Sequence, residues 1–286
     1  MTAVAEANPT VARRKLAVYF RRLREQHGTS FDQLAAILEV DRSQASRLYT
    51  GARGFQVEDV LALCRWYGLD AAEQARLVAL AEEARKRGWW QQYDLAPSLR
   101  TLIGMEQAAV SISEYAGSVI PGLLQTREYA EAAAAVAYGA IDVPPQRVAD
   151  AVKVRMRRQQ ILARARPPEL WVVIDEAVLA RVGGGVAVMR NQLEHLHAKA
   201  NTPGITVQVV GFDYGLYPGG FHSILLQMAE GLPDVIYNEA LAEPDDTSDT
   251  AALRAARKRW DRLRALALSP RESAELILRH VDRLGS

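Results

Sequence analysis

The sequence has little cysteine and no long apolar run. Cys64 is the one cysteine in 286 residues, so a framework of disulfides within the chain is excluded. Because Cys64 lies in an apolar stretch with helical spacing, we interpret it as a buried small hydrophobic residue. No apolar run approaches the roughly 20 residues that cross a bilayer, and the N-terminus has no apolar core of signal-peptide length. We therefore expect a cytoplasmic protein with no membrane partner.

An excess of charge of one sign is also absent. The chain has 35 Lys/Arg and 34 Asp/Glu residues, which leaves a formal net charge of +1. No overall electric field therefore draws the protein to nucleic acid or to an anionic membrane, and any such attraction must be local. Residues 1–90 carry 14 basic and 11 acidic side chains, which is a small local excess of positive charge.

The signatures of phosphate loops, metal sites and activated nucleophiles are missing as well. The run 183–185 consists of three glycines but lacks the preceding strand and the lysine of a P-loop, so we interpret it as an ordinary loop. His195 and His197 are two positions apart on a predicted helix and point to different sides, which makes them a poor metal pair. The sequence predicts no metal site and no cofactor.

The stretch 30–51 has the clearest pattern in the chain. Its apolar residues have the spacing of two short helices that cross and bury one shared face, with a tight turn over 39–41. Ser30 and Asp41 are placed to cap the two helices, because each side chain can accept a first-turn amide hydrogen. The second helix then presents a polar side to its surroundings. This arrangement is that of a helix-turn-helix.

The polar side of the second helix carries hydrogen-bond donors suited to phosphates and base edges. Gln44 and Ser43 are the predicted base readers, because glutamine can pair bidentately with adenine. The arginines on this helix and in the loop that follows would bind phosphates. The predicted DNA-binding residues are Arg42, Ser43, Gln44, Ser46, Arg47 and Arg53. The same side chains could instead be ordinary solvated residues on a structural helical bundle.

The rest of the chain changes from helical to strand periodicity. Helices are predicted over 13–27, 98–137 with a break at 121–122, 186–200, 249–267 and 270–284. Short runs rich in valine and isoleucine predict strands over 170–174, 205–210, 223–228 and 235–237. We predict a multidomain protein, with an all-α helix-turn-helix N-terminal domain and an α+β C-terminal domain that has a small sheet. The predicted parts are a flexible arm over 1–12, the helix-turn-helix domain over 13–87, a linker over 88–97 and the α+β domain over 98–286.

Two parts of the sequence resemble known families. Residues 14–68 resemble the lambda-repressor-like (XRE) helix-turn-helix family, through Phe20-Arg21-Arg22-Leu23-Arg24-Glu25, Leu34-Ala35, Val40, Ser46-Arg47 and Gly51. The strings at 115–130, 173–179 and 267–273 are similar to a domain of unassigned role, DUF5753, found behind such modules in actinobacterial regulators. The resemblance implies a transcriptional regulator that binds double-stranded DNA through the major groove as a homodimer.

The N-terminal part departs from the pattern that the resemblance implies. The family typically has glutamine where Phe31 stands, at a helix end that meets a DNA phosphate, and an aromatic ring cannot make that hydrogen bond. Glu39 stands where a turn glycine is usual and adds a charge that DNA repels. Tyr49 replaces a glutamate, and Ala45 replaces a branched apolar residue. These departures predict weaker DNA binding.

Aromatic and polar residues of the C-terminal half are candidates for a ligand pocket. Mixed α+β domains commonly hold small molecules where such groups converge at strand ends. The candidates are Tyr115, Gln125, Arg158, Trp171, Asp175, Glu176, Tyr217, His222, Tyr237 and Glu239. Each of them could equally be a packing or surface residue.

His222 also permits an enzymatic hypothesis. It stands where an apolar side chain is usual in the resembling proteins, and an acidic run over 243–249 follows it in the chain. With Glu239, Asp245 or Asp246, His222 could act as general acid and base in a cofactor-independent cyclisation, dehydration or isomerisation of a secondary metabolite. The acidic run could also be a solvated loop with no chemistry.

Three functions therefore remain open from the sequence. The leading hypothesis is a DNA-binding transcriptional regulator whose C-terminal domain senses a small molecule or a partner protein. The second is a regulator-derived enzyme of secondary metabolism with weakened DNA binding. The third is a protein-interaction adaptor on the same scaffold.

Overall fold

A computed structural model describes residues 8–139, 143–220, 222–229, 231–238 and 250–285. The chain divides into two compact units. The first comprises Met1–Gln91 with Ala229–Leu232, and the second comprises Gln92–Met228 with Pro233–Ser286. The first is helical and the second combines helices with a five-stranded sheet, which confirms the predicted fold class. Within the described ranges, every helix is too short or too polar to cross a bilayer.

The first unit contains five α-helices in its described residues. They are α1 (Pro9–His27), α2 (Phe31–Leu38), α3 (Arg42–Thr50), α4 (Val57–Trp66) and α5 (Ala71–Arg85). The first helix begins at Pro9, earlier than residue 13 where we predicted it. Proline is well suited to the first helical position, and the Asn8 side chain accepts the Val11 amide hydrogen at 3.2 Å. Residues 9–12 are therefore helical and do not belong to an arm.

Two side-chain caps, together with a turn in the left-handed backbone conformation, determine how α3 follows α2. The Ser30 hydroxyl accepts from the Gln33 amide at 3.2 Å, and the Gln33 side chain accepts in return from the Ser30 amide. Asp41 caps α3 by accepting from the Gln44 amide at 2.7 Å. Both predicted caps are thus confirmed. Between them, Glu39 adopts φ 53°, in the region that favours glycine.

A single apolar core joins the five helices. Its largest fully buried side chains include Leu16, Phe20, Leu34, Leu48, Tyr49, Phe55 and Leu63. The rings of Phe20 and Tyr49 lie 5.1 Å and 5.7 Å from that of Phe55. Cys64 is buried in the same core, and burial raises the pKa of its thiol, so its interpretation as a small hydrophobic residue is confirmed.

The second unit surrounds a five-stranded sheet. Its helices are α6 (Pro97–Glu106), α7 (Arg127–Gly139), α8 (Pro145–Arg158), α9 (Glu176–Ala180), α10 (Val186–Ala200), α11 (Thr250–Leu266) and α12 (Pro270–Arg283). Its strands are β1 (Ala109–Ala116), β2 (Glu169–Asp175), β3 (Ile205–Val210), β4 (Ser223–Met228) and β5 (Val235–Asn238). The spatial order is β3-β2-β1-β4-β5. Strands β1, β2 and β3 are parallel to one another, and β4 is antiparallel to both β1 and β5.

The central strand β1 was predicted as helix, and that prediction is wrong. We assigned helical periodicity over 98–137, whereas Ala109–Ala116 is extended. Polar residues at Ser111, Ser113 and Glu114 interrupt the apolar run expected for a central strand. Pairing with β2 on one side and β4 on the other determines its conformation, so tertiary contacts override the local pattern.

The pleat of β1 sends its side chains to two different faces of the sheet. We call the side of Ser113, Tyr115, Trp171 and Leu225 the α11 face, because α11 covers it. The opposite face carries Glu114 with residues that include Ile112, Val172, Ile224 and Tyr237. Candidate residues close together in sequence can therefore lie on opposite sides of the sheet.

Replacing Glu39 with glycine is expected to stabilise the protein. A residue with a Cβ atom costs roughly 1–2 kcal/mol in the left-handed region. Glycine removes that cost but gains freedom in the unfolded chain, so we expect a net gain of about 0.5–1 kcal/mol. Glu39→Ala is the matched control, because it removes the same carboxylate and keeps a Cβ. Urea unfolding followed by circular dichroism measures both variants. Equal stability of the two would show that charge, and not backbone conformation, limits this turn.

Candidate functional site

Helix α3 has one buried side and one exposed polar side. Ala45, Leu48 and Tyr49 point into the core and are almost inaccessible to solvent. On the outer side, Arg42, Ser43 and Arg47 are exposed, while Gln44 and Ser46 are half-buried. The buried residues hold the helix in place, so its polar side has a defined orientation.

Hydrogen bonds connect four of the six predicted DNA-binding residues. The Arg47 guanidinium donates to the Ser43 hydroxyl at 3.3 Å, and the Arg53 guanidinium donates to Gln44 Oε1 at 3.3 Å. The Arg53 amide also donates to the Arg47 carbonyl at 3.0 Å, which brings the loop after α3 against the helix. Arg42 lies apart from these bonds, with its Nε 3.4 Å from an Asp32 carboxylate oxygen on α2. Both members of this ion pair are exposed, so it is weak.

A surface depression of about 650 Å³ lies along this polar side. Its lining residues are Phe31, Arg42, Ser43, Ser46 and Arg47. The Asp41 carboxylate caps the helix beside it, and its hydrogen bonds, above all that from the Gln44 amide, lower the pKa of Asp41. The depression therefore combines two cations and two hydroxyls with one aromatic ring.

Phe31 and Tyr49, two departures from the expected pattern, pack against each other. Their rings meet edge to face with centroids 5.8 Å apart, and the Arg24 guanidinium carbon lies 4.5 Å from the centroid of Phe31. Tyr49 is 2% exposed, and its carbonyl accepts from the Arg21 guanidinium at 2.8 Å. Tyr49 is therefore a core residue of the domain, whereas Phe31 is partly exposed at the outer surface.

The predicted ligand-binding residues of the second unit fall into separate groups. The first group lies at the α11 face. The Tyr115 and Tyr217 hydroxyls are 2.8 Å apart, and Tyr217 donates to the Asp175 carboxylate. Burial, together with the acceptor Asp175, raises the pKa of Tyr217 far above its ordinary value. Trp171 lies on the same face, where its indole donates to Gln208 at 2.8 Å. Tyr115 and Tyr217 thus form a hydrogen-bonded chain that ends at the Asp175 carboxylate, and Trp171 makes a separate hydrogen bond on the same face.

The second group lies on the opposite side of the sheet. Arg158 forms a bidentate ion pair with Glu106, at 2.7 and 3.0 Å, and Glu106 is 1% exposed. Burial opposes the charge on Arg158, but the Glu106 carboxylate outweighs it and raises the pKa of the guanidinium. Glu114 and Tyr237 also act on Arg158 electrostatically, consistent with their shared face. The group is a buried charged cluster.

Gln125 and Glu176 have structural partners. The Gln125 side chain donates to the Ile120 carbonyl at 2.7 Å and accepts from Arg155 at 2.9 Å, so it holds the loop before α7. Glu176 accepts from the Phe212 amide at 2.8 Å and lies 3.0 Å from His280 Nε2. Both side chains are buried.

His222 contacts a different carboxylate from those we considered for catalysis. Its Nε2 lies 2.7 Å from Oε1 of Glu114, a residue that is 2% exposed on the central strand. Glu239, Asp245 and Asp246, the candidates named from the sequence, lie outside the described residues. The sequence did not indicate Glu114, because β1 was assigned to a helix.

A cavity of about 220 Å³ lies between the α11 face and α11 itself. The lining residues of α11 are Ala252, Ala255, Ala256, Arg259, Trp260 and Leu263, which recur at spacings of three and four. The strands contribute Ser113, Ser223, Leu225 and Ile236, among others. Among the described side chains of α11, Leu263 is the one that is fully buried.

This cavity was not foreseen from the sequence. The predicted helix over about 249–267 agrees with the observed α11, but its spacing alone does not show which of its residues face the sheet. The sequence feature that indicates such a cavity is the stripe of alanines at helical spacing, which continues into Arg259 and Trp260. Ser113 could not be found in the same way, because its strand was not predicted.

Removing one member of the Glu106–Arg158 pair is expected to destabilise the second unit. Arg158→Met leaves Glu106 buried without its cation, at a cost of roughly 3–5 kcal/mol. The double variant Glu106→Leu, Arg158→Met removes both charges and should recover most of that loss. Chemical unfolding measures both. The control Lys153→Ala breaks an exposed ion pair with Asp150 and should cost less than about 1 kcal/mol. A double variant as unstable as the single one would contradict this explanation.

Comparison with known protein families gives two matches. A helix-turn-helix domain matches residues 15–77, and the domain of unknown function DUF5753 matches residues 99–279, which is more than half of the chain. A search of curated proteins and a search of solved structures each found no match. The order of the two domains confirms the arrangement inferred from the sequence. The chain belongs to the DUF5753 family and carries, ahead of that domain, a helix-turn-helix domain of the kind found in DNA-binding regulators.

Proposed function

We propose that the protein is a transcriptional regulator that binds double-stranded DNA through α3 and senses a small molecule or a partner through its C-terminal domain. The observation that carries the proposal is the outer side of α3. Hydrogen-bond donors are exposed there, while the residues behind them are fixed in the core. A helix of this kind can enter the major groove without reorganising its own domain.

The side chains on α3 divide naturally into two roles. Arg42, Arg47 and Arg53 supply charge for phosphates, and these interactions set the position of the helix on DNA. Gln44 can read adenine, because its carboxamide presents one acceptor and one donor side by side. Its hydrogen bond from Arg53 orients that carboxamide and still leaves the second lone pair of Oε1 for a base.

The local charge balance argues for moderate affinity. The exposed carboxylates of Asp32, Glu39 and Asp41 lie on or beside the same two helices as the arginines. A chain of net charge +1 has no long-range attraction to compensate for them. Two copies that bind adjacent half-sites would overcome this limit, so we propose that the protein acts as a homodimer.

Replacement of Arg47 is expected to weaken DNA binding and its salt dependence together. Duplexes are first selected from a random library with the full chain, and the affinity for the selected duplex is then measured by fluorescence anisotropy at several salt concentrations. Arg47→Ala should reduce the slope of log affinity against log salt by about one for each phosphate that the variant no longer binds. Gln44→Ala should cost roughly 1–3 kcal/mol on the selected duplex and relax its sequence preference.

Arg65→Ala serves as the matched control for this experiment. Arg65 is an exposed arginine near the end of α4, outside the polar side of α3. Its replacement removes the same charge from the same domain and should leave both slope and affinity nearly unchanged. The proposal fails if selection enriches no duplex, or if Arg65→Ala and Arg47→Ala weaken binding equally.

Phe31→Gln is expected to strengthen DNA binding. The resemblance to lambda-repressor-like domains implies a glutamine at this position that donates to a phosphate. One regained hydrogen bond of about 1 kcal/mol corresponds to roughly fivefold in affinity. Phe31→Ala is the control, because it also removes the ring from Arg24 and Tyr49 but adds no donor. Anisotropy with the selected duplex compares them. Equal gains for both variants would mean that the ring obstructs DNA and that the missing donor is unimportant.

A further inference from the structure

We propose that the cavity beneath α11 binds a compact apolar carboxylate of about nine non-hydrogen atoms. The inference deepens the proposed sensing function and rests on it only for its biological role. An apolar protein cavity of about 150 Å³ can hold benzene, so a cavity of about 220 Å³ has room for a benzene ring and one small substituent.

The cavity is a pocket that opens to solvent along α11, because Ala255 and Arg259 of its lining are exposed while Ile236 and Leu263 are buried. Here Ala252, Ala255 and Ala256 face the sheet where larger apolar residues would fill the space. Leu263 packs at one end of the helix and keeps α11 on the sheet. The helix is therefore held at a distance that leaves the space open.

The lining of the cavity combines apolar walls with a few polar side chains. Leu225, Ile236 and Leu263 provide aliphatic contacts, and the Trp260 ring adds a flat aromatic surface. Pairing along the sheet places Leu225 beside Ser113 on this face. Such a combination of apolar walls with a few polar groups is typical of small-molecule sites.

Arg259 determines the charge of the ligand. It is the one charged residue in the lining, and no ion pair to it occurs among the described residues. Its planar guanidinium can bind a carboxylate through two parallel hydrogen bonds. The hydroxyls of Ser113 and Ser223 can donate to the same group or orient it. A cationic ligand is disfavoured by this arginine, and a polyphosphate would require more than one cation.

A ligand bound in the cavity would also account for the small number of buried side chains on α11. Only its Leu263 is fully buried among the side chains described for this helix. A ligand between the helix and the strands would supply the missing apolar contacts and would stabilise the helix in its observed position. Such a change in the stability of one helix is a means by which a bound molecule can be sensed.

Benzoate is the first probe, and it is tested with the full chain in the absence of DNA. Isothermal titration calorimetry and saturation-transfer NMR measure its binding, and phenylacetate and hexanoate extend the series. Benzamide is the neutral counterpart of benzoate, with the same number of non-hydrogen atoms. We expect saturable binding of at least one carboxylate, with benzamide about tenfold weaker than benzoate because it cannot form the charged pair with Arg259.

Two variants test the cavity and its charge separately. Ala256→Leu fills the space and should abolish binding of every probe. Arg259→Gln should weaken benzoate about tenfold and leave benzamide unchanged. Arg254→Gln is the matched control, because Arg254 is exposed on the same helix and does not line the cavity. It should bind benzoate as the wild type does.

The outcomes distinguish this proposal from the DNA-binding proposal. Failure of all three carboxylates to bind the wild-type chain overturns the ligand assignment, as does equal binding by Ala256→Leu. If Ala256→Leu does not fold, Arg259→Gln still decides the question, because its side chain is exposed and its replacement leaves the core intact. Carboxylate binding with no duplex selected would refute DNA recognition and leave the cavity assignment standing.

Discussion

A polar surface can hold a defined position only when the residues behind it are buried, and this constraint governs all of the candidate sites. In α3, the buried Leu48 and Tyr49 fix the helix so that its arginines and Gln44 face outward. In β1, pairing on both sides fixes the strand, so that Tyr115 and Glu114 project from opposite faces. In each case the functional groups follow from the packing of their neighbours.

In helix α11, the residues that face the sheet are less completely buried than those behind the polar side of α3. Its alanines leave space where α3 has large apolar residues, so the helix covers the sheet without filling the interface. Both helices have a clear apolar stripe, so they differ in the volume of the side chains within that stripe. A well-filled interface holds the outer residues of α3 in one orientation, which the proposed binding to DNA requires. An interface with a void leaves the space in which we propose that a small molecule binds.

The sequence pattern was sufficient to predict those features that depend on interactions between neighbouring residues. The caps at Ser30 and Asp41 and the burial of Cys64 depend on a few neighbouring residues, and they could be read directly from the sequence. The central strand could not be predicted in this way, because the partners of its Glu114 and Tyr115 side chains, His222 and Tyr217, are about a hundred residues away along the chain. For the same reason, the ten proposed ligand residues could not be sorted between the two faces of the sheet. The cavity required both the strand and the orientation of α11, so it emerged only in three dimensions.

The buried thiol has a practical consequence for labelling the protein. Cys64 is enclosed by the helical core and ionises less readily than an ordinary cysteine, because burial raises its pKa. A maleimide dye would therefore react first with any cysteine introduced on the surface. The natural chain thus provides a nearly silent background for attaching one fluorophore or spin label at a chosen position, with no need to remove a native residue.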